Sequence, residues 1–510
     1  MKSSRSQNPF GLVLLVVGLL GGVSLLKPGL TVGGQALRPV RLLADVLRPA
    51  APGPAAAPAG LAPPPPNGPA GPGAARPTGA ALALGAAAPD QAVEADTVPN
   101  LGGLDSFLAA LRQAKADGRK VRIAYFGDSM IEGDLLTGDL RQDLQQVFGG
   151  AGVGFVPANY VAADFRETIH QTFSPDWHEY NLVTPQLPAE YPLGISGHVF
   201  LPEVVPPAAD SAAASGSWMD FRAGAVFPGT RRLPEARLFY GPGAPGAAVL
   251  VTTGTHAVRH ALEGTAAVNE LVLRPGAPAR RMRFDFTTQG PRPVYGVSFE
   301  SADGVTLDNF SFRGNSGMSL TRIPYRQLAA FGKLRDYRLI VLHYGVNVAN
   351  ASVQNYTFYV RAMTRAIDRL QRACPRASVL IVGMSDKSAR LDGEFVTDPS
   401  VPRLVAAQLR LARRNHAAFW NLFRAMGGAN SMVSWVDSSP PLANHDYTHV
   451  NGRGARRMAS LLDAFLMAQY AQFGAGPTPA DTPSPAPSPI LTAPAPTHPD
   501  SAGPPTAALR

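Results

Sequence analysis

A three-layer α/β fold with a parallel sheet, interrupted by a β-rich insert, is the architecture this sequence predicts. Three observations carry it. The apolar runs at 121–126, 339–342 and 379–382 are continuous rather than alternating, as strands buried on both faces of a parallel sheet require. Stretches of helical periodicity lie between and around them. From about 162 to 304 that pattern gives way to short apolar runs divided by Pro, Gly and Asp, the mark of an antiparallel sandwich.

Taken in order, 104–111 reads as a short helix and 121–126 as the first strand. Leu136, Leu140, Leu144 and Val147 then recur at helical spacing up to Gly149-Gly150. Within the insert, 236–240, 248–252, 270–273, 282–286 and 295–299 read as strands. Asp303-Gly304 reads as a hairpin turn into a further strand at 305–312. After it come the strand at 339–342 and a helix presenting Val360, Met363, Ile367 and Leu370. A strand at 379–382, a helix at 404–413 and a short strand at 418–420 follow. A last helix, 453–467, presents Met458, Leu461, Leu462 and Phe465.

Composition sets the limits. The chain has 510 residues, but 49–92 is rich in Pro, Ala and Gly and the stretch from about 474 in Pro, Ala, Thr and Ser, and neither can bury enough apolar surface to fold. The uncharged apolar stretch 10–26, after Lys2 and Arg5, predicts a membrane anchor or a cleaved export signal. Either places the folded part outside the cytoplasm; an anchor would tether it to the inner membrane, facing the periplasm. The division expected is a cytoplasmic 1–9, an anchor or signal at 10–27, a linker at 28–100 and an α/β part at 101–161. The β-rich insert at 162–304, the second α/β part at 305–472 and a tail at 473–510 complete it.

The net charge of +9 comes without any dense basic block interleaved with aromatics, so nucleic acid is not an expected partner. One cysteine, Cys374, excludes an intrachain disulfide and cysteine-rich zinc sites, and reads as a buried small hydrophobe. His170, His178, His198, His256 and His260 lack metal-ligand spacing, and neither a metal nor a cofactor is expected.

Four segments of the α/β part carry chemistry. Gly127-Asp128-Ser129 ends the first strand on a serine. Arg313-Gly314-Asn315-Ser316-Gly317 follows a strand with a Gly-rich turn whose amide can approach an oxyanion. Gly345-Val346-Asn347 places an amide side chain after a buried strand. Asp446-Tyr447-Thr448-His449 sets a carboxylate and an imidazole within one turn. A serine hydroxyl needs a base to take its proton, and imidazole oriented by a carboxylate suits that role near pH 7. Each segment alone has a plainer account, as a strand-end turn, a tight Gly turn, a cap or a structural histidine, and His445 is a competing base. Their joint presence predicts a serine esterase.

In this order the four segments resemble the SGNH (GDSL-type) hydrolase superfamily, over about 101–160 and 305–470. The resemblance implies a flavodoxin-like three-layer domain. It implies Ser129 as nucleophile, His449 as base and Asp446 as orienting acid. It also implies an oxyanion hole from the amides of Ser129 and Gly314 and the side chain of Asn347. Met130 stands where Leu is usual, and Val346 and Val348 flank Asn347 in place of commoner polar residues. A narrower similarity to bacterial peptidoglycan O-acetylesterases is carried by three stretches. These are Gly127-Asp128-Ser129-Met130-Ile131-Glu132-Gly133-Asp134, Phe148-Gly149-Gly150, and Phe419-Trp420-Asn421-Leu422-Phe423 through Met426-Gly427-Gly428. It implies a jelly-roll-like, carbohydrate-binding insert and an acetylated glycan as substrate. Acetyl transfer to a polysaccharide and non-catalytic glycan binding are the competing functions.

Overall fold

The computed structural model describes residues 103–160, 162–203, 216–288 and 290–474, with the backbone of 31–32 and 35–36. The chain divides into two units, 1–90 and 91–510. In the first, Thr31–Val32 pairs antiparallel with Gln35–Ala36. The expected anchor or signal at 10–27, nearly all of the linker and the tail beyond 474 lie outside the described residues. No helix among the described residues is long and apolar enough to cross a membrane.

The second unit opens with α1 (Asp105–Asp117), β1 (Val121–Gly127) and α2 (Thr137–Phe148). Val147 points to solvent and Phe148 packs edge-on against Tyr470 in its place. The insert strands are β2 (Gly154–Pro157), β3 (Ile169–Phe173), β4 (His178–Asn181), β5 (His198–Leu201), β6 (Trp218–Ala223) and β7 (Glu235–Tyr240). They continue with β8 (Ala248–Thr253), β9 (His256–Ala261), β10 (Asn269–Leu273), β11 (Arg281–Thr287) and β12 (Val294–Glu300). The chain returns through β13 (Val305–Ser311), α3 (Tyr325–Arg335), β14 (Tyr337–His343), α4 (Thr357–Ala373) and β15 (Ser378–Val382). It ends with the hairpin β16 (Ser388–Leu391) and β17 (Glu394–Thr397), then α5 (Ser400–Arg414), β18 (Ala418–Trp420), α6 (Leu422–Met426), α7 (Ser431–Asp437) and α8 (Gly452–Gly474).

The central sheet is parallel, in the order β13-β1-β14-β15-β18. In chain order that is 2-1-3-4-5, a flavodoxin-like winding whose switch point falls between β1 and β14. Side chains alternate across the sheet, and both faces are buried. Ala124, Phe126, Ile340 and Leu342 meet Phe331 of α3, Ile367 of α4 and Leu404 of α5. Ile123, Tyr125, Leu339 and Val341 meet Phe107 of α1, Leu144 of α2 and Leu462 of α8. This explains the unbroken apolar runs in the sequence.

The insert comprises two antiparallel sheets, ordered β9-β8-β11-β6-β3 and β10-β7-β12-β5-β4, and β2, which precedes the start expected at 162, also pairs with β12. Both contribute to one core, where Phe221 and Phe299 meet at 5.1 Å between centroids. Six of these strands, β2 to β6 and β9, were not legible in the sequence. His256–Ala261 is an exposed edge strand with little apolar content, and β3 and β4 are short strands with few apolar residues.

The expected hairpin at Asp303-Gly304 does not form. Gly304 is left-handed (φ 64), but Asp303 is not among the positive-φ residues, as a two-residue type I′ turn would need. β12 stays in the insert while β13 leaves it to run parallel to β1.

A buried charge cluster marks that parting. Arg335 is 1% exposed and donates to Asp308 at 2.8 Å and to Glu300 at 2.9 Å. Arg122 also reaches Glu300, and the Tyr337 hydroxyl and the Phe155 amide donate to Asp308. Removing one member of such a cluster strands the others without water. Arg335→Leu is expected to lower the unfolding free energy by about 3–5 kcal/mol in a urea titration.

Candidate active site

Strand register assembles most of the site. Gly127 at the end of β1 is aligned with Ser311 of β13 on one side and His343 of β14 on the other. The loops that follow these three strands therefore leave the sheet at one edge, with Ser129, Gly314 and Asn347 on them. A side chain at 127 would sit 2.8 Å from Ile131 and 3.1 Å from the His343 carbonyl, so glycine permits the strand end to turn there.

Asp128 caps the short 3₁₀ turn Ser129–Asp134, its Oδ1 accepting from the Met130 amide at 3.0 Å. Ser129 is the first residue of that turn. Its Oγ lies 3.2 Å from His449 Nε2, and His449 Nδ1 lies 2.8 Å from Asp446 Oδ2. Asp446 Oδ1 also accepts from the amides of Thr448 and His449, at 3.0 and 2.9 Å. Partial burial pushes the Asp446 carboxyl up, but these amide and imidazole hydrogen bonds outweigh it and hold it below the usual carboxylate range. The competing base, His445, is exposed on the same loop; His449 makes the contact with Ser129.

The loop bearing Asp446 and His449 is tightly closed. Asn444 donates its amide to the His449 carbonyl, and Tyr447 its amide to Asn444. Asn451 then accepts from the amides of Arg453 and Gly454 and starts α8. Tyr447 sits in the left-handed region (φ 54), which for a bulky residue costs on the order of 1–3 kcal/mol.

Gly314 is also left-handed (φ 76) and exposed. Among the described residues, the amides of Ser129 and Gly314 donate to no other group. Asn347 Nδ2 lies 3.0 Å from Asp128 Oδ2 and 3.2 Å from the Asn315 carbonyl, so the amide is held in one orientation between the serine and glycine segments. Gly317 serves the turn, with its amide donating to Asn315 Oδ1.

Three features escaped sequence reasoning. Buried Glu132 pairs with Arg313 at 2.6 Å, tying the serine turn to the glycine loop. Buried Asp134 accepts from Arg141, Arg166, Thr168 and Asn309, which joins that turn to α2, the insert and β13. The third is the hairpin β16–β17, set beside the Asp446–His449 loop; its Asp392-Gly393 turn was the available signal. Among the described residues no group of three or more His, Cys, Asp or Glu side chains is placed to hold a metal ion. Trp435 is a core residue, its indole donating to the Met426 carbonyl, and Trp218 lies under the Arg283 guanidinium. Cys374 is buried, which pushes its thiol up to about 12.

Fold and site together define an α/β protein with a Ser–His–Asp chain at the switch point of a flavodoxin-like sheet, the arrangement for which the SGNH resemblance stands. No family model matches the sequence, and no curated protein matches it. Among solved structures, the chain is similar to a peptidoglycan O-acetylesterase with a TM-score of 0.57 and 21% identity, over 72% of this chain and 97% of that one. Lesser similarities include an acetyl xylan esterase (TM-score 0.24, 16% identity, 32% of this chain and 83% of that one). A family two carbohydrate esterase from Cellvibrio japonicus is another (TM-score 0.24, 9% identity, 59% of this chain and 99% of that one). The chain thus shares the fold of the solved peptidoglycan O-acetylesterase.

Burial raises the Asp128 carboxyl to about 6, against the lowering effect of its bonds from Met130 and Asn347. The folded state then binds this proton more tightly than the unfolded state. Its contribution to stability is full below the unfolded value of 3.8 and is lost as pH rises through about 6. Relative to Asp128→Ala, the wild type should lose roughly 2–3 kcal/mol of urea-unfolding free energy between pH 3.5 and pH 7.5.

Proposed function

We propose that this chain is a serine esterase that removes O-acetyl groups from a carbohydrate, with cell-wall peptidoglycan the substrate class we favour. The observation that carries the reading is the continuous hydrogen-bonded chain from Ser129 through His449 to Asp446. The fold shared with a solved peptidoglycan O-acetylesterase supports the choice of substrate. So does the openness of the site, since the His449 and Asp446 side chains are 40% and 49% exposed and a polymer can approach them.

In this mechanism His449 Nε2 takes the Ser129 proton as Oγ bonds to the acetyl carbonyl carbon. The charge developing on the carbonyl oxygen is received by the Ser129 and Gly314 amides and by Asn347 Nδ2. Asn347 gives up the Asn315 carbonyl to do so, while Asp128 keeps its amide aimed. The tetrahedral intermediate then breaks its bond to the sugar oxygen, which takes the proton from His449. Water, losing a proton to His449, attacks acetyl-Ser129; the bond to Oγ then breaks, Oγ takes the proton back from His449, and acetate is released. Asp446 keeps the imidazole in the required tautomer throughout.

We read the insert as a jelly-roll-like sandwich that binds carbohydrate. Its two antiparallel sheets with one shared core support the sandwich. A cavity of about 560 Å³ lined by Val251, Thr253, His256, His260, Leu273 and Arg274 offers a place for a sugar. We also place the folded part outside the cytoplasm, held near the membrane by the apolar segment 10–26; the composition of that segment is the support.

The test compares acetate release from O-acetylated peptidoglycan, acetylated xylan and a small aryl acetate. Ser129→Ala and His449→Ala should lose several orders of magnitude in turnover on all of them. Equal turnover in the wild type and both variants would leave only a glycan-binding protein, and acetyl groups found on an added acceptor glycan would mark a transferase. Asn347→Ala should lose about 10²–10³-fold in kcat. Asp446→Asn should lose activity on the aryl acetate while its circular dichroism and melting midpoint stay close to wild type.

A further inference from the structure

The hairpin β16–β17 grows from the chain that follows β15, beyond the carboxyl edge of the sheet that carries Ser129 and Asn347. Its two-residue turn, Asp392-Gly393, has both residues left-handed (φ 50 and 91), the type I′ geometry of a tight hairpin. Its base is anchored. Thr397 donates its hydroxyl to buried Asp386 at 2.9 Å and its amide to Asn430 at 3.0 Å. Asp386 in turn accepts from the Met432 amide at 2.8 Å.

From this fixed base the hairpin makes two contacts with the Asp446–His449 loop, both at Tyr447. The Ser388 amide donates to the Tyr447 carbonyl at 2.9 Å. The Phe395 ring lies flat on the Tyr447 ring, with centroids 3.8 Å apart and planes within 9°. Phe395 is 39% exposed, so the ring is not there to fill a core. Tyr447 is the strained residue of the loop, and its left-handed backbone is what folds 446–449 back on itself. That fold brings the Thr448 amide, the His449 amide and the His449 ring to the Asp446 carboxylate together. An extended Tyr447 would open the turn and swing Asp446 away from all three.

We propose that Phe395 is a positioning residue. Stacked on Tyr447, it holds the left-handed turn that aims Asp446 at His449 Nδ1. Its effect on turnover rests on the esterase reading above; its effect on the loop does not. The hairpin is thus a brace on the acid–base pair, delivered from a different strand of the sheet than the serine it serves.

The test uses the full chain with Phe395→Ala, Phe395→Leu and Phe395→Tyr. It measures aryl acetate kinetics and mass-spectrometric hydrogen exchange over residues 443–451. Loss of the ring in Ala and Leu should lower kcat about three- to tenfold with KM unchanged, and speed exchange in this segment by a similar factor. Tyr, which keeps a flat ring, should restore both. Wild-type kcat and exchange in the Ala variant would overturn the proposal. So would a raised KM at unchanged kcat, which would make the ring a substrate contact. Faster exchange in Ala, recovered in Tyr, with no ester hydrolysis by the wild type would refute the esterase reading while supporting the role of Phe395 in the loop.

Discussion

The parallel register of β13, β1 and β14 is the constraint on which the site depends. Because Ser311, Gly127 and His343 stand abreast, the three loops that follow leave at one edge, on either side of the switch point. Ser129, Gly314 and Asn347 need no long-range adjustment to meet; hydrogen bonding in the sheet has already brought their backbones together. Only the Asp446–His449 loop must be brought in from elsewhere, and α8 does this by packing Met458 and Leu462 against the opposite face of the same sheet.

Buried charge holds this edge in place. Asp134 ends the serine turn buried, and its carboxylate is drawn well below the usual range by Arg141 and Arg166 despite the upward effect of burial. Arg166 belongs to the segment leading into the insert, so the serine turn and the insert share one electrostatic lock. Glu300 and Asp308, clamped by Arg335, form a second lock where the chain passes from insert to sheet. The insert is therefore integral to the α/β part. Its Phe239 and Tyr295 also pack against Phe331 of α3, at 5.6 and 5.4 Å between ring centroids. Such buried pairs add little net stability over apolar packing, but they tolerate few alternative arrangements.

What could be read in the chain followed from local physics. Apolar runs buried on both faces identified β1, β14 and β15, helical periodicity identified α2, α4, α5 and α8, and β18 was legible at 418–420. The four site segments were legible because each combines a strand end or a helix start with an unusual residue type. Most insert strands were not, because polar or exposed faces leave no periodic trace. Two of the three Asp-Gly pairs mark the limit of turn chemistry. At 392–393 both residues are left-handed and a hairpin forms. At 303–304 only the glycine is, and β13 finds a better partner in β1, which lies far away in sequence.

The sequence by itself determined the α/β class and the place of the insert between the first two strands of the parallel sheet, and it singled out Ser129, Gly314, Asn347, Asp446 and His449 as candidate site residues. These depend on residue type and short-range pattern, which any stretch of chain carries within itself. Tertiary structure alone decided that Asp128 would orient Asn347, that Asp134 would tie the serine turn to the insert, and that Phe395 would lie on Tyr447. Each of those contacts joins segments whose closeness comes from sheet register and shared burial, which no local pattern encodes.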